Sequence, residues 1–243
     1  MYESFYGLTT KPFSLLPDPE FLYLGKKHKV ALALLEYALM NNAGFCVITG
    51  EIGAGKTTLL RRLLGSIEEN ITVGMITNTH QSFGELLDWV LSAFGIHQSG
   101  LSKVEMHQRL VDFLLEQYAS NKTTLLIVDE AQLLDESTLE EIRLLLNFQL
   151  NDRFLLSIIL IGQPELGEKI REIEQLNQRI AIKYHLIPFD FKDNVPCLIS
   201  TGLLLLATCV FVLKRILLVL SSNGVSVFFC SMTTLSLRVT QVF

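Results

Sequence analysis

Short apolar runs alternate along the chain with stretches in which apolar residues recur every three to four positions. The runs at residues 45–49, 71–77, 124–129, 154–161 and 180–186 have the length of buried strands. The periodic stretches at 56–66, 83–94, 104–119, 136–147 and 165–176 predict helices. A further helix is expected ahead of the first strand. There "KKHKVALALLEYALMNN" puts Val30, Leu34, Tyr37 and Ala38 at helical spacing, and Gly44 supplies a stop. Strands that are apolar at consecutive positions are buried on both faces. Their alternation with helices predicts an α/β fold, a parallel sheet between two helical layers joined by right-handed crossovers.

The pattern holds to about Asp193 and then changes. All 25 acidic residues of the chain lie at or before that position, and beyond it the only charges are Lys214, Arg215 and Arg238. The chain is net −5, so the region before the break is acidic and the tail is basic. An acidic main region argues against broad nonspecific nucleic-acid binding. The stretch "CLISTGLLLLATCVFVL", residues 197–213, carries no charge and precedes Lys214–Arg215. It reads as a short membrane span with a cytoplasmic positive flank, as a divergent buried segment, or as the product of a frame change near Val195. The frame change accounts for the abrupt loss of acids and of amphipathic period together. Three regions follow: residues 1–44, rich in aromatics with Pro12, Pro17 and Pro19 and expected to begin extended; a core at 45–193; and the tail at 194–243. No charged-then-apolar leader opens the chain, so the core is expected in the cytoplasm, anchored to the membrane if the tail is a span.

Other features have bland readings. Cys46 falls in an apolar run as a small buried residue, and Cys197, Cys209 and Cys230 lack metal-ligand spacing. Lys26, Lys27 and Lys29 suit a solvated helix start. Trp89, near Leu86 and Val90, suits a core, and His28, His80, His97, His107 and His185 share no spacing.

The candidate chemistry begins straight after the first apolar run, with "GEIGAGKT" at residues 50–57. Gly50, Gly55, Lys56 and Thr57 satisfy the phosphate-loop template GxxxxGK[ST] at every fixed position. Glu51, Ile52, Gly53 and Ala54 fill the loop, and Thr58 follows it. Glycines allow successive backbone N–H groups to turn inward around a polyphosphate, and a helix starting near Lys56 directs its positive end at the same anion. Lys56 is expected to neutralise the β- and γ-phosphates, and the Thr57 hydroxyl to ligate Mg²⁺. The strand "LLIVDE" then offers Asp129 for the metal and Glu130 as general base for an attacking water. The adjacent Asp–Glu pair separates a hydrolase from a small-molecule kinase, whose chemistry must exclude water. Asn78 and Gln163 follow other strands and stand where a γ-phosphate sensor would, though position alone favours an ordinary loop amide for each. Arg179, just before the last strand, reads either as a surface arginine or as a finger reaching a neighbouring subunit's nucleotide.

This order of loop, acidic pair, polar strand end and late arginine resembles the AAA+ ATPase superfamily. More narrowly, "FYGLTTKPFSLLPDPEFLYLG", "GFCVITGEIGAGKTTLLRRLL", "LLIVDEAQLL", "LIGQPEL" and "LNQRIAIKYHLIPF" are similar to general secretion pathway protein A and its pilus-biogenesis relatives, collinearly over residues 1–193. The resemblance implies a P-loop sheet ordered 5-1-4-3-2 and ATP with Mg²⁺ as the ligand. It also implies a homo-oligomer with Arg179 acting in trans, and energy coupling to an envelope secretion or pilus machine at the inner-membrane face. It places Gln163 at the sensor position, and "KPF" and the region 21–28 beside the adenine. A DNA-associated loader or a nucleotide-binding protein with little turnover are the alternatives. The family's helical lid, with its second sensor arginine, has no counterpart after "PFDFKD".

Overall fold

The computed structural model describes residues 24–77, 85–150 and 153–188, together with two strands in the tail. The chain divides into two units, Pro17–Asp190 and a second made of Met1–Leu16 with Phe191–Phe243. Asn78, the aromatic N-terminal segment and the apolar stretch 197–213 lie outside the described residues. Among those described, no helix is long and apolar enough to cross a membrane.

The first unit is built on five parallel strands: β1 (Phe45–Gly50), β2 (Ile71–Ile76), β3 (Thr123–Val128), β4 (Leu156–Gly162) and β5 (Ile182–Leu186). They lie in the order 5-1-4-3-2, as the resemblance implies. A two-residue antiparallel pair, Gln149–Leu150 with Arg153–Phe154, precedes β4 and stays outside the sheet. In the second unit, Val227–Ser231 and Arg238–Val242 pair antiparallel as β6 and β7.

β1 and β4 are buried at every position, as consecutive apolar residues require. Alternate residues feed two separate cores. Phe45, Val47, Leu126, Val128, Ile158 and Leu160 face one layer of helices: α3 (Leu86–Ala93), α4 (Lys103–Ala119), α5 (Glu136–Leu145) and α6 (Pro164–Glu172). Cys46, Ile48, Leu125, Ile127, Ile159 and Ile161 face the other, made by α1 (Lys26–Met40) and α2 (Lys56–Leu64). Trp89 and Cys46 are both in these cores, and burial pushes the Cys46 thiol up to about 11. Each fully buried leucine or isoleucine contributes roughly 1.5–3 kcal/mol relative to an exposed one. The two-sided sheet is therefore the main source of stability.

Local chemistry sets the helix starts. Ser102 and Glu105 form a reciprocal capping box at α4, the Asp135 carboxylate accepts the Thr138 N–H at α5 (2.8 Å), and Pro164 opens α6. Two expectations need correction. The helix expected at 165–176 is broken at Ile173, whose ψ of 84° is not helical, and a short α7 (Glu174–Asn177) follows it. Ile173 and Leu176 stay buried across the break. In α1 the buried face is His28, Ala31, Leu35 and Ala38, while Val30 and Tyr37 are exposed. Large apolar residues misled the expectation. Small ones let α1 approach closely, and its start is fixed by the Tyr184 hydroxyl donating to the Lys27 carbonyl (3.1 Å).

Gly74 on β2 packs closely against the helical layer. A Cβ there would stand 2.7 Å from Phe94 Cε1, and the Phe94 ring is itself held against Phe113 at 5.2 Å between centroids. Gly74→Ala is expected to destabilise the unit by about 1–3 kcal/mol through overpacking. Combining it with Phe94→Leu should recover part of that loss in urea denaturation. Additive losses in the double variant would show that the two positions do not meet.

Candidate functional site

β1 ends at Gly50, where a Cβ would lie 2.6 Å from the Leu186 carbonyl oxygen of β5. The chain then turns through residues 51–55 into α2. Gly53 (φ +80°) and Gly55 (φ +87°) adopt left-handed backbone that strains any L side chain. At Gly53 the space around is open, so the requirement is conformational; at Gly55 a Cβ would also meet the His28 ring at 3.0 Å. His28, buried on α1, hydrogen-bonds the Ala54 carbonyl through Nε2 at 2.9 Å, which ties the loop to a neighbouring helix. The Lys56 ammonium is buried and donates to the carbonyls of Gly50 (2.7 Å) and Glu51 (2.9 Å). Thr57 is exposed and Thr58 half-buried in the first turn of α2, and Glu51 and Ile52 are exposed.

The acidic pair follows β3. The Asp129 N–H donates to the Ile76 carbonyl of β2 (2.9 Å), and the Asp129 carboxylate accepts the N–H of Glu130 (2.9 Å). Asp129 is buried, and that desolvation raises its carboxyl above the usual range. The Glu130 N–H and the Lys56 charge pull it back, while the Glu130 charge adds to the rise. Glu130 has φ +52°. The other non-glycine residues with positive φ among those described are Asn42 and Asn121, a type that tolerates it; a glutamate there is uncommon.

Gln132, not singled out from the sequence, sits at the centre of the acidic end. Its Nε2 donates to Glu130 Oε2 (2.6 Å), and its Oε1 accepts the backbone N–H of Gln163 (3.0 Å). Lys169 of α6 donates to the carbonyls of Gln132 (2.7 Å) and Leu134 (2.8 Å), fixing the same turn. The available signal was a glutamine two residues beyond an acidic pair, which propensity alone does not distinguish from a loop amide.

Sheet register explains what comes together. Thr49 of β1 lies level with Gly162 of β4, Gly50 with Leu186 of β5, and Val128 of β3 with Leu160 of β4. The segments that follow therefore emerge along one carboxyl edge: residues 50–58, Asp129, Glu130 and Gln163. Arg179 is elsewhere. It is exposed, donates weakly to the Arg143 carbonyl (3.4 Å), and shares a cavity with Phe45, the first residue of β1, and with Leu146, Gln149 and Phe154. That is the amino edge, opposite its own loop.

The loop and edge suit a nucleotide: two left-handed glycines, a helix start and a buried ammonium converge on one point. They suit Mg²⁺ as well. Mg²⁺ characteristically takes one or two protein oxygen ligands with phosphate and water, and this edge offers a carboxylate and a hydroxyl. Asp129 and Thr57 are the residues that would hold it.

Burial of Asp129 has a consequence for stability. The unfolded chain loses this proton at lower pH than the folded one, so stability falls as pH rises from the ordinary aspartate range through the raised folded value. Above that window the buried carboxylate is a standing cost. Asp129→Asn keeps an acceptor for the Glu130 N–H, and in EDTA at neutral pH it is expected to unfold at higher urea than wild type. The gain should shrink as pH falls below the carboxylate range. A variant no more stable than wild type at neutral pH would contradict this.

Comparison with known proteins agrees with this fold. A family model described as an AAA domain matches residues 39–170. The chain is 38% identical over 196 residues to general secretion pathway protein A of Aeromonas hydrophila, covering 79% of this chain and 36% of that protein. It thus spans little more than a third of that relative's length. Among solved structures, the fold is similar to the ORC2 protein of Aeropyrum pernix in ADPNP–ADP complexes, with TM-score 0.58, 19% identity, and 79% of this chain and 54% of that one covered. Cdc6p of Pyrobaculum aerophilum gives TM-score 0.57 at 18% identity, with 76% and 53% covered. At such identities the likeness is one of fold. Because the matched segment exceeds half of the chain and carries the loop and the acidic pair, this protein belongs to the AAA domain family and is related to general secretion pathway protein A.

Proposed function

We propose that the protein binds Mg·ATP at the carboxyl edge of its sheet and hydrolyses it to ADP and phosphate. The observation that carries this reading is the convergence on one edge of the Gly53–Gly55 turn, the buried Lys56 and the Asp129–Glu130 pair.

The loop binds the polyphosphate. The first turn of α2 has N–H groups outside the intrahelical ladder, and left-handed backbone at Gly53 and Gly55 turns loop amides the same way. Two of the three Lys56 donors are engaged by Gly50 and Glu51, which holds the ammonium at the mouth of the loop and leaves a donor for a phosphate oxygen. Mg²⁺, when bound, neutralises charge on the phosphates. Glu130 is the base: one carboxylate oxygen is held by Gln132, and the other accepts a proton from water as that water attacks the γ-phosphorus and ADP departs. Gln163 stands at the next strand end as a γ-phosphate sensor, and Asn78 is assigned the same role.

Arg179 lies at the opposite edge from its own loop, which favours a finger offered to the nucleotide of a second copy of the chain. The relationship to general secretion pathway protein A supports a cytoplasmic role at the inner-membrane face, energising an envelope secretion or pilus assembly. The likeness to replication proteins is one of fold and adds no argument for a DNA partner.

An ATPase assay paired with equilibrium nucleotide binding tests this. Lys56→Ala is expected to weaken ATP binding roughly 10- to 100-fold or more, the size of a charge-assisted contact. Glu130→Gln should bind ATP as wild type does and lose roughly 100- to 10,000-fold in turnover. The wild-type rate per subunit should rise with protein concentration if Arg179 acts in trans. Full turnover by Glu130→Gln would refute the assignment of the base, and a concentration-independent rate would refute the trans arginine.

A further inference from the structure

The side-chain amide of Gln132 has two ends, and each meets a partner that accepts no substitute. A backbone N–H can only donate, so the Gln163 N–H fixes the Oε1 end at 3.0 Å. A carboxylate can only accept, so Glu130 fixes the Nε2 end at 2.6 Å. Both partners impose the same orientation of the amide, and the turn that carries it is pinned by Lys169 through the Gln132 main-chain carbonyl. The fit is close. A Cβ at Gly162 would stand 2.8 Å from Gln132 Oε1 and 3.1 Å from the Gln132 nitrogen, so β4 must end in glycine for the bridge to form.

We propose that Gln132 is a positioning residue for the hydrolytic reaction: its amide orients the Glu130 carboxylate and couples that orientation to the backbone of Gln163 at the end of β4. The proposal rests on the ATPase reading above. Glu130 needs such a support because its backbone is held at φ +52° and its side chain is only partly buried, so packing alone does not choose its rotamer. The Gln163 N–H belongs to the residue that caps α6, so any displacement of the Gln163 backbone when its side chain engages a phosphate is transmitted through one rigid amide to the base. A base misplaced by about 1 Å loses on the order of 100-fold in rate, which is the scale at which such a bridge matters.

The test uses the full chain and the variant Gln132→Met, which keeps side-chain length and removes both hydrogen bonds. Turnover of ATP is expected to fall roughly 10- to 100-fold while KM for ATP stays within about twofold, the mark of an interaction made in the transition state rather than in binding. Amide hydrogen exchange in protein without nucleotide supplies a second readout. The Gln163 N–H should exchange faster in Gln132→Met, and also in Glu130→Ala, which frees the far end of the amide. The amides of Leu160 and Ile161 on β4 should be unchanged in both. Wild-type turnover in Gln132→Met, or unchanged Gln163 exchange, overturns the proposal. So does faster exchange along all of β4, which would mean a general loss of structure. If the wild-type protein hydrolyses no ATP, the ATPase reading fails and the proposal with it. Turnover that depends on Glu130 and is indifferent to Gln132 removes this proposal alone.

Discussion

At Gly50 the backbone of β1 passes so close to β5 that any Cβ would stand 2.6 Å from the Leu186 carbonyl oxygen. That approach fixes where the loop begins, and it aims the Gly50 carbonyl at the Lys56 ammonium, 2.7 Å away. The loop is thus sprung between a strand edge and a helix start, with His28 of α1 bracing it through Ala54. These contacts depend on glycine, at Gly50 because of the close approach and at Gly53 and Gly55 because of the left-handed backbone. A change at Gly50 would disturb the sheet edge, the loop and the cation together.

The central strands β1, β3 and β4 are buried on both faces, so they have no room for chemistry except at their ends. Parallel strands bring their carboxyl ends to one edge, and the register places Gly50, Asp129 and Gln163 there without any long excursion of the chain. Placing a carboxylate at that edge works against stability. Asp129 is desolvated, and its ionised form is tolerated because Lys56 and the Glu130 N–H stand nearby. The acidic pair therefore reads as a functional feature held against the preference of the fold, supported by a strained Glu130 backbone and the Gln132 amide.

Much of this was legible in the order of residues. Consecutive apolar positions foretell a two-sided sheet, and the loop template carries its own backbone geometry in its glycines. What was not legible depends on tertiary distances. The buried face of α1 is His28, Ala31, Leu35 and Ala38, while the larger Val30 and Tyr37 stay exposed, which helical spacing alone does not decide. Ile173 breaks a helix that periodicity continues, and Ile170, Ile173 and Leu176 are all buried in one core across the break. Gln132 looks like any loop amide until the Gln163 N–H, 31 residues away in the chain, appears at its other end. Arg179 is near the last strand in sequence, but only the topology shows that this is the edge away from its own loop.

The proposed role of the 50–58 segment in binding nucleotide rests on its backbone. Titrating isotopically labelled protein with Mg·ATP and following backbone amide resonances tests it directly. Saturable shifts are expected, largest at the amides of Gly53, Gly55, Lys56 and Thr57, with smaller ones at Asp129 and Gln163. Shifts centred elsewhere on the sheet, or none at millimolar ATP, would contradict it.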